Sequence, residues 1–117
     1  MWWVEIESVE PWLDSLDRDS LEHVVAALQL PREWGPQPGR PLVDTVANSR
    51  HRNMQELRSG SSGRTELRVL FAFAPERSAI LLLGGDKSGD WSRWYRRMIP
   101  AADHLFDEHL ENLRKGR

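Results

Sequence analysis

Ser78-Ala79-Ile80-Leu81-Leu82-Leu83 is a short, almost wholly apolar run between two turn-forming stretches, Pro75-Glu76-Arg77 and Gly84-Gly85-Asp86-Lys87-Ser88-Gly89. A run of that length and character predicts a β-strand buried on both faces, and therefore a central one. Such a strand needs partners, and the segment before it supplies one. From Thr65 to Phe73 apolar character alternates, with Leu67, Val69, Phe71 and Phe73 on one face and Glu66, Arg68, Leu70 and Ala72 on the other. Met54 to Arg58 predicts a further strand, joined to it through the turn residues Ser59-Gly60-Ser61-Ser62-Gly63. At the other end of the chain, Trp2 to Glu7 also alternates. Trp2, Val4 and Ile6 face one way, as in a half-buried strand.

Helical spacing fills the remainder. Ser8 can cap a short helix in which Glu10 and Pro11 suit the first turn and Val9, Trp12, Leu13 and Leu16 share a face. Asp17 or Asp19 can cap a second, with Leu21, Val24, Val25 and Leu28 as its buried stripe, which Pro31 should end or kink. Residues 35 to 53 read as loop, because Gly35-Pro36-Gln37-Pro38-Gly39-Arg40-Pro41 cannot hold regular structure. A last helix is expected from Asp90, pausing at Pro100 and resuming with Ala102, Leu105, Phe106, His109, Leu110 and Leu113 on its packing face. The predicted order is β-α-α-β-β-β-α, an α+β fold with a small, mostly antiparallel sheet, an N-terminal helical hairpin and a C-terminal helix.

The chain's 117 residues suit one domain, 1–117, with one modest core. No apolar run approaches the roughly 20 residues that span a bilayer. The first residues lack the basic and apolar regions of a secretory signal. With no cysteine there is neither a disulfide framework nor a thiolate metal site, and the expected setting is the cytoplasm.

Charge is unevenly distributed. Residues 50–97 carry ten Lys and Arg against five Asp and Glu, whereas residues 1–49 carry three against nine. A net charge of −2 thus conceals a dipolar chain whose basic part lies on the predicted sheet. Such a face, interleaved with Ser, Gly and aromatic residues, suits a phosphate-bearing partner, and the acidic part can dock a basic one.

Within the basic part, Arg58 and Arg68 can share one sheet face on adjacent antiparallel strands, with Arg64 at the start of the second strand. Converging guanidinium groups can grip a phosphodiester and neutralise charge that develops on it. The plainer reading is solvent-facing arginines paired with Glu56 and Glu66. Lys87 follows the central strand and precedes Trp91, Trp94, Tyr95 and Arg96, a group that could supply a proton, a charge and a stacking platform. The plainer reading there is a Gly-rich turn into a capped helix with tryptophans in the core. The Gly-x-x-x-x-Gly-Lys-Ser/Thr spacing of a triphosphate loop is absent. His104 and His109 are splayed, His23 suits a helix surface, and no metal site is expected. His51, in Ser49-Arg50-His51-Arg52, is the histidine near the presumed site, as acid or base or simply as a loop residue.

Taken in order, the Trp-rich first strand, the helical pair, Ser49-Arg50-His51, Glu56-Leu57-Arg58-Ser59-Gly60, Leu67-Arg68-Val69-Leu70-Phe71, Gly84-Gly85-Asp86-Lys87-Ser88-Gly89 and Trp94-Tyr95-Arg96 resemble a known family. They are similar to the RelE/HigB superfamily of toxins of type II toxin–antitoxin systems, in its phage-derived, Gp49-like HigB branch. The resemblance implies a RelE-like fold. It also implies an endoribonuclease that enters the ribosomal A site and cuts mRNA without metal or cofactor, by attack of a ribose 2′-OH on the adjacent phosphate. By the same resemblance Arg68 would stabilise the transition-state phosphate and Arg58 would hold the backbone. Lys87 would be an acid or a second clamp, and Tyr95 would stack on a base or help activate the 2′-OH. Arg64, Arg96, His51 and Trp91 are the supporting RNA contacts. The partners implied are a HigA-like helix-turn-helix antitoxin, the ribosome, and operator DNA only through the antitoxin complex, with no membrane. Two alternatives stand beside this: a RelE-like RNA- or protein-binding module without catalysis, and a phage-derived inhibitor of a host protein.

Overall fold

A computed structural model describes residues 2–36, 43–59 and 65–116. It bears out an α+β architecture with a mostly antiparallel sheet. Strands β1 (Trp3–Glu5), β2 (Val43–Thr45), β3 (Met54–Arg58), β4 (Leu67–Ala74) and β5 (Ser78–Asp86) form one five-stranded sheet in the order β1-β5-β4-β3-β2. Only β1 runs parallel to its neighbour, β5. Helices α1 (Glu10–Asp14), α2 (Arg18–Ala27) and α3 (Gln29–Trp34) follow β1, and α4 (Trp91–Arg114) closes the chain.

Each sheet face has its own core. Leu67, Val69, Phe71 and Phe73 of β4 pack with Ala79 and Leu81 of β5 and with Val9, Leu13, Val24 and Ala27 of the N-terminal helical layer. Leu70, Ala72 and Ala74 turn the other way, joining Ile80, Leu82 and the α4 residues Ile99, Ala102 and Phe106. The central strand is therefore buried on both faces, as its composition requires. Asp17 caps α2, accepting a hydrogen bond from the Ser20 N–H at 3.2 Å. Asp90 caps α4, accepting from the Arg93 N–H at 3.1 Å.

Four local expectations need correction. The stretch expected as loop contains β2, which pairs Val43 with Leu57 and Thr45 with Gln55. Two or three residues carry too little periodicity to announce a strand, and β2 exists because β3 offers it an edge. Helix α2 ends at Ala27, ahead of Pro31, which sits in the first turn of α3, where its missing N–H costs no hydrogen bond. Pro100 does not interrupt α4. It is exposed, while Ile99, Ala102 and Phe106 on the packed face hold both halves of the helix to the sheet.

Nor do Gly84 and Gly85 break β5, which continues to Asp86. A register shift at Leu70/Phe71 leaves Leu82 as the extra residue on β5, so that Gly84 opposes Val69 and Gly85 opposes Arg68. A Cβ on Gly84 would lie 2.2 Å from the Trp12 ring, and one on Gly85 2.6 Å from Trp94 Nε1. The two glycines let one tryptophan approach each face of the strand closely. Gly84→Ala is expected to cost about 1–3 kcal/mol of stability through this overpacking, read as an earlier midpoint in urea. An unchanged midpoint would mean that Trp12 is free to move aside.

Candidate active site at the Arg58–Arg68 end of the sheet

Antiparallel pairing sets Arg58 directly opposite Arg68. Both project from the α4 side of the sheet, since Leu57, Leu67 and Val69 belong to the opposite core. Two like charges facing each other across a ladder are unfavourable on their own. Glu56, two residues before Arg58 and on its face, resolves this. Its carboxylate is buried, 6% exposed, with Oε1 3.5 Å from Arg68 Nε and Oε2 3.3 Å from Arg58 Nη2. Arg58 Nη2 also lies 2.9 Å from Asp44 Oδ2 on β2. Arg68 Nη1 donates to its neighbour's carbonyl, Leu67 O, at 2.8 Å. The buried Nε atoms of Arg58 and Arg68 have no hydrogen-bond acceptor among the described residues.

The second turn of α4 completes the cluster. Tyr95 donates its hydroxyl hydrogen to Glu56 Oε1. Burial, together with the hydrogen bond and the charge of Glu56, pushes the Tyr95 pKa up to about 12, against a smaller opposing pull from Arg68. Near neutral pH the phenol therefore keeps its proton and holds its hydrogen bond to the carboxylate.

Lys87 stands at the edge of this cluster. Its N–H donates to the Glu66 carbonyl at 3.0 Å, and its ammonium lies 3.3 Å from Glu66 Oε2. The same ammonium lies 5.9 Å above the Trp91 ring and 5.8 Å above Tyr95. The turn is fastened by Asp86, which accepts from the N–H groups of Glu66 and Ser88, both at 2.9 Å. Burial opposes the charge of Asp86, but the hydrogen bonds from Glu66 and Ser88 outweigh it and hold the carboxyl below its usual range. The two tryptophans of this region divide the roles offered to them. Trp94 is half-buried against Gly85 and lies edge-on to Tyr95 at 5.0 Å, whereas Trp91 is 60% exposed.

A cleft of about 340 Å³ opens beside Tyr95 and Glu56, between the β2–β3 connection and the start of α4. Thr45, Val46, Ala47 and Asn48 line one side, and Trp91, Ser92, Tyr95 and Arg96 the other.

Of the residues singled out in the sequence, the fold gathers Arg58, Arg68 and Tyr95 around one carboxylate, with Lys87 and Trp91 alongside and Arg96 in the adjoining cleft. Arg64 lies outside the described residues. His51 is not brought to the cluster. Its Nε2 lies 2.8 Å from Asp107 Oδ1 and its ring stands edge-on to Phe106, three turns further along α4. Ser49-Arg50-His51 forms a clasp. Ser49 Oγ and the Arg50 N–H donate to Asp103, a carboxylate only 3% exposed, at 2.5 and 3.1 Å. The Arg50 guanidinium bonds Asp107 at 2.5 Å and holds its carboxyl below the usual range, against burial and with help from His51. This clasp pins the β2–β3 connection to α4 and so sets one wall of the cleft. Glu56 is a buried hub rather than a surface ion-pair partner, and Asp44 lies on β2 rather than in a loop. The signal for Glu56 was its spacing, two residues from Arg58 and therefore on the same face.

A mostly antiparallel sheet between helical layers, with paired arginines, a buried carboxylate and a phenol at one end, makes this an α+β protein with a polar cluster at one edge of its sheet. The chain belongs to the Gp49-like family: the family model described as phage derived protein Gp49-like matches residues 11–107. The chain is 53% identical over 109 residues to the protein named putative toxin HigB2 of Mycobacterium tuberculosis (strain ATCC 25618 / H37Rv), covering 93% of this chain and 54% of that protein. It is 46% identical over 111 residues to putative toxin HigB3 of the same strain, covering 95% of each. The chain thus spans about half the length of HigB2 and nearly all of HigB3. Among the described residues no helix is long and apolar enough to cross a membrane, and no group of three His, Cys, Asp or Glu side chains is placed to hold a metal ion.

Proposed function

We propose that this protein is the toxin of a toxin–antitoxin pair and acts as a ribosome-dependent mRNA endonuclease. The relatives' names support the toxin reading. The observation that carries the chemistry is the convergence of Arg58, Arg68 and Tyr95 on the buried Glu56 carboxylate, at the mouth of a cleft with an exposed tryptophan. Cutting RNA by 2′-OH attack requires a base, cations on the phosphate and a proton for the leaving oxygen. In this reading Glu56 takes the 2′-OH proton as the 2′-oxygen bonds to phosphorus. Arg68 and Arg58 neutralise the phosphate. Lys87 gives a proton to the departing 5′-oxygen, leaving a 2′,3′-cyclic phosphate and a 5′-OH. Tyr95, held protonated, orients Glu56. The partners are the ribosome with mRNA in its A site and a HigA-like helix-turn-helix antitoxin, which would carry the pair to operator DNA; the setting is the cytoplasm.

The test is to incubate the purified protein with ribosomes stalled on a defined mRNA and to map the 5′ ends by primer extension. A cut within the A-site codon, absent without ribosomes, is the expected result. Intact mRNA, from protein shown to be folded and ribosome-bound, would select the second reading, an RNA- or protein-binding module without catalysis. One observation favours that reading: Arg58, Arg68 and Lys87 are each already paired with a carboxylate, so a phosphate must compete with Asp44, Glu56 and Glu66.

A further inference from the structure

We infer that the cleft beside Tyr95 is a seat for a guanine base and that Arg96 reads it. This deepens the RNA reading above and rests on it. The phosphate-binding guanidiniums lie next to this cleft rather than in it: neither Arg58 nor Arg68 lines it, while Glu56 and Tyr95 belong to both. Val46, Ala47, Trp91 and Tyr95 supply apolar lining, and Thr45, Asn48 and Ser92 contribute polar groups. Apolar walls with a polar rim and aromatic rings suit a flat heterocycle displaced from its stack better than they suit a phosphate. Trp91 is one of the large apolar side chains left exposed, at 60%, and it stands edge-on to Tyr95 with ring centroids 6.3 Å apart. An exposed indole at the lip of a cleft is available for stacking.

The charged groups in the cleft select the base. Glu56 is shared with Tyr95, Arg68 and Arg58 and is given above to the 2′-OH, which leaves Arg96 to read the heterocycle. Arg96 is exposed and pairs with no carboxylate among the described residues. A guanidinium offers donors only, in a planar fork. Guanine presents two acceptors, O6 and N7, at the matching spacing; adenine places an amino donor where guanine has O6, and pyrimidines lack the pair. The cleft should therefore accept purines on shape and prefer guanine on hydrogen bonding.

The experiment titrates the intact protein with the 3′-monophosphates of guanosine, adenosine, cytidine and uridine at one ionic strength, by calorimetry. All four carry the same phosphate, so differences report the base. Guanosine 3′-monophosphate is expected to bind about tenfold or more tighter than the pyrimidine nucleotides. Arg96→Lys keeps the charge and loses the fork, and should erase that preference while leaving weak binding of all four; Arg96→Ala should erase it too. As Arg96 is exposed on α4, both variants should melt with the wild type. Equal binding of the four nucleotides, or a guanine preference that survives in Arg96→Lys and Arg96→Ala, overturns the assignment. So does ribosomal cutting whose distribution over codons is indifferent to guanine and unmoved in Arg96→Lys. A guanine preference lost in both variants, in a protein that never cuts mRNA, upholds the cleft and removes the nuclease reading instead.

Discussion

In Glu56→Gln, ribosome-dependent cutting is expected to slow by about 10²–10⁴-fold, the usual worth of a positioned general base. The amide keeps the size of the side chain and can still accept from Tyr95, but it cannot take the 2′-OH proton. A second readout comes free of the nuclease assay, because Tyr95 is the only tyrosine in the chain. Alkaline titration of tyrosinate absorbance therefore reports that one hydroxyl. In the wild type it should ionise near pH 12. Burial is the first cause of this elevation and Glu56 the second, so the variant should titrate lower while staying above the ordinary value of about 10. The linkage sign follows: a phenol whose pKa rises on folding contributes stability that is whole below about pH 10 and is lost as pH rises towards 12. Full cutting by Glu56→Gln would remove Glu56 as the base. An unshifted tyrosine titration would show that the Tyr95–Glu56 hydrogen bond does not set the phenol's state.

Arg68→Ala should cost cutting about 10²–10³-fold, the loss expected on removing one preorganised donor from a developing oxyanion. Ribosome binding should fall far less, since other cations contribute to it. Arg68→Lys separates charge from shape, because a single ammonium cannot reproduce a two-pronged grip on phosphate. Rate restored by lysine would mean that charge alone suffices; rate still absent would point to the fork. The structure also supplies a stability control. Without Arg68, Glu56 keeps Arg58 and Tyr95 as partners, so the carboxylate is not stranded. Arg68→Ala should therefore melt as a cooperative, folded protein. A wild-type cutting rate in that variant would dismiss the phosphate role.

Much of this fold is legible along the chain because its signals are local. The apolar run at Ser78–Leu83 and the alternation from Leu67 to Phe73 are each a repeat of side-chain direction, set by the pleat of a strand. Asp17 and Asp90 announce helix starts through a side chain that reaches its own next turn. The misread places are those where a local rule yields to packing. Gly84-Gly85 looks like a strand breaker until Trp12 and Trp94 are seen lying on either face of it. Pro100 looks like a helix breaker until the buried face of α4 is seen to continue through it. Strand β2 looks like loop because its three residues owe their conformation to β3.

Composition and periodicity alone determined that this chain makes a small sheet with a doubly buried central strand, helices against it, and Arg58 and Arg68 on its strands. They also offered Arg58 and Arg68 as a grip on a phosphate, and Lys87 with Trp91, Trp94 and Tyr95 as a charge beside a stacking platform. Only tertiary structure decided that Glu56 sits at their centre, that His51 belongs to a clasp elsewhere on α4, and that a cleft lies beside Tyr95. The reason is distance along the chain. Tyr95 and Glu56 are 39 residues apart, and their hydrogen bond depends on strand register, on the shift that aligns Gly85 with Arg68, and on where α4 crosses the sheet. Periodicity tells which way a side chain points; what it meets there is set by elements that lie far from it in sequence.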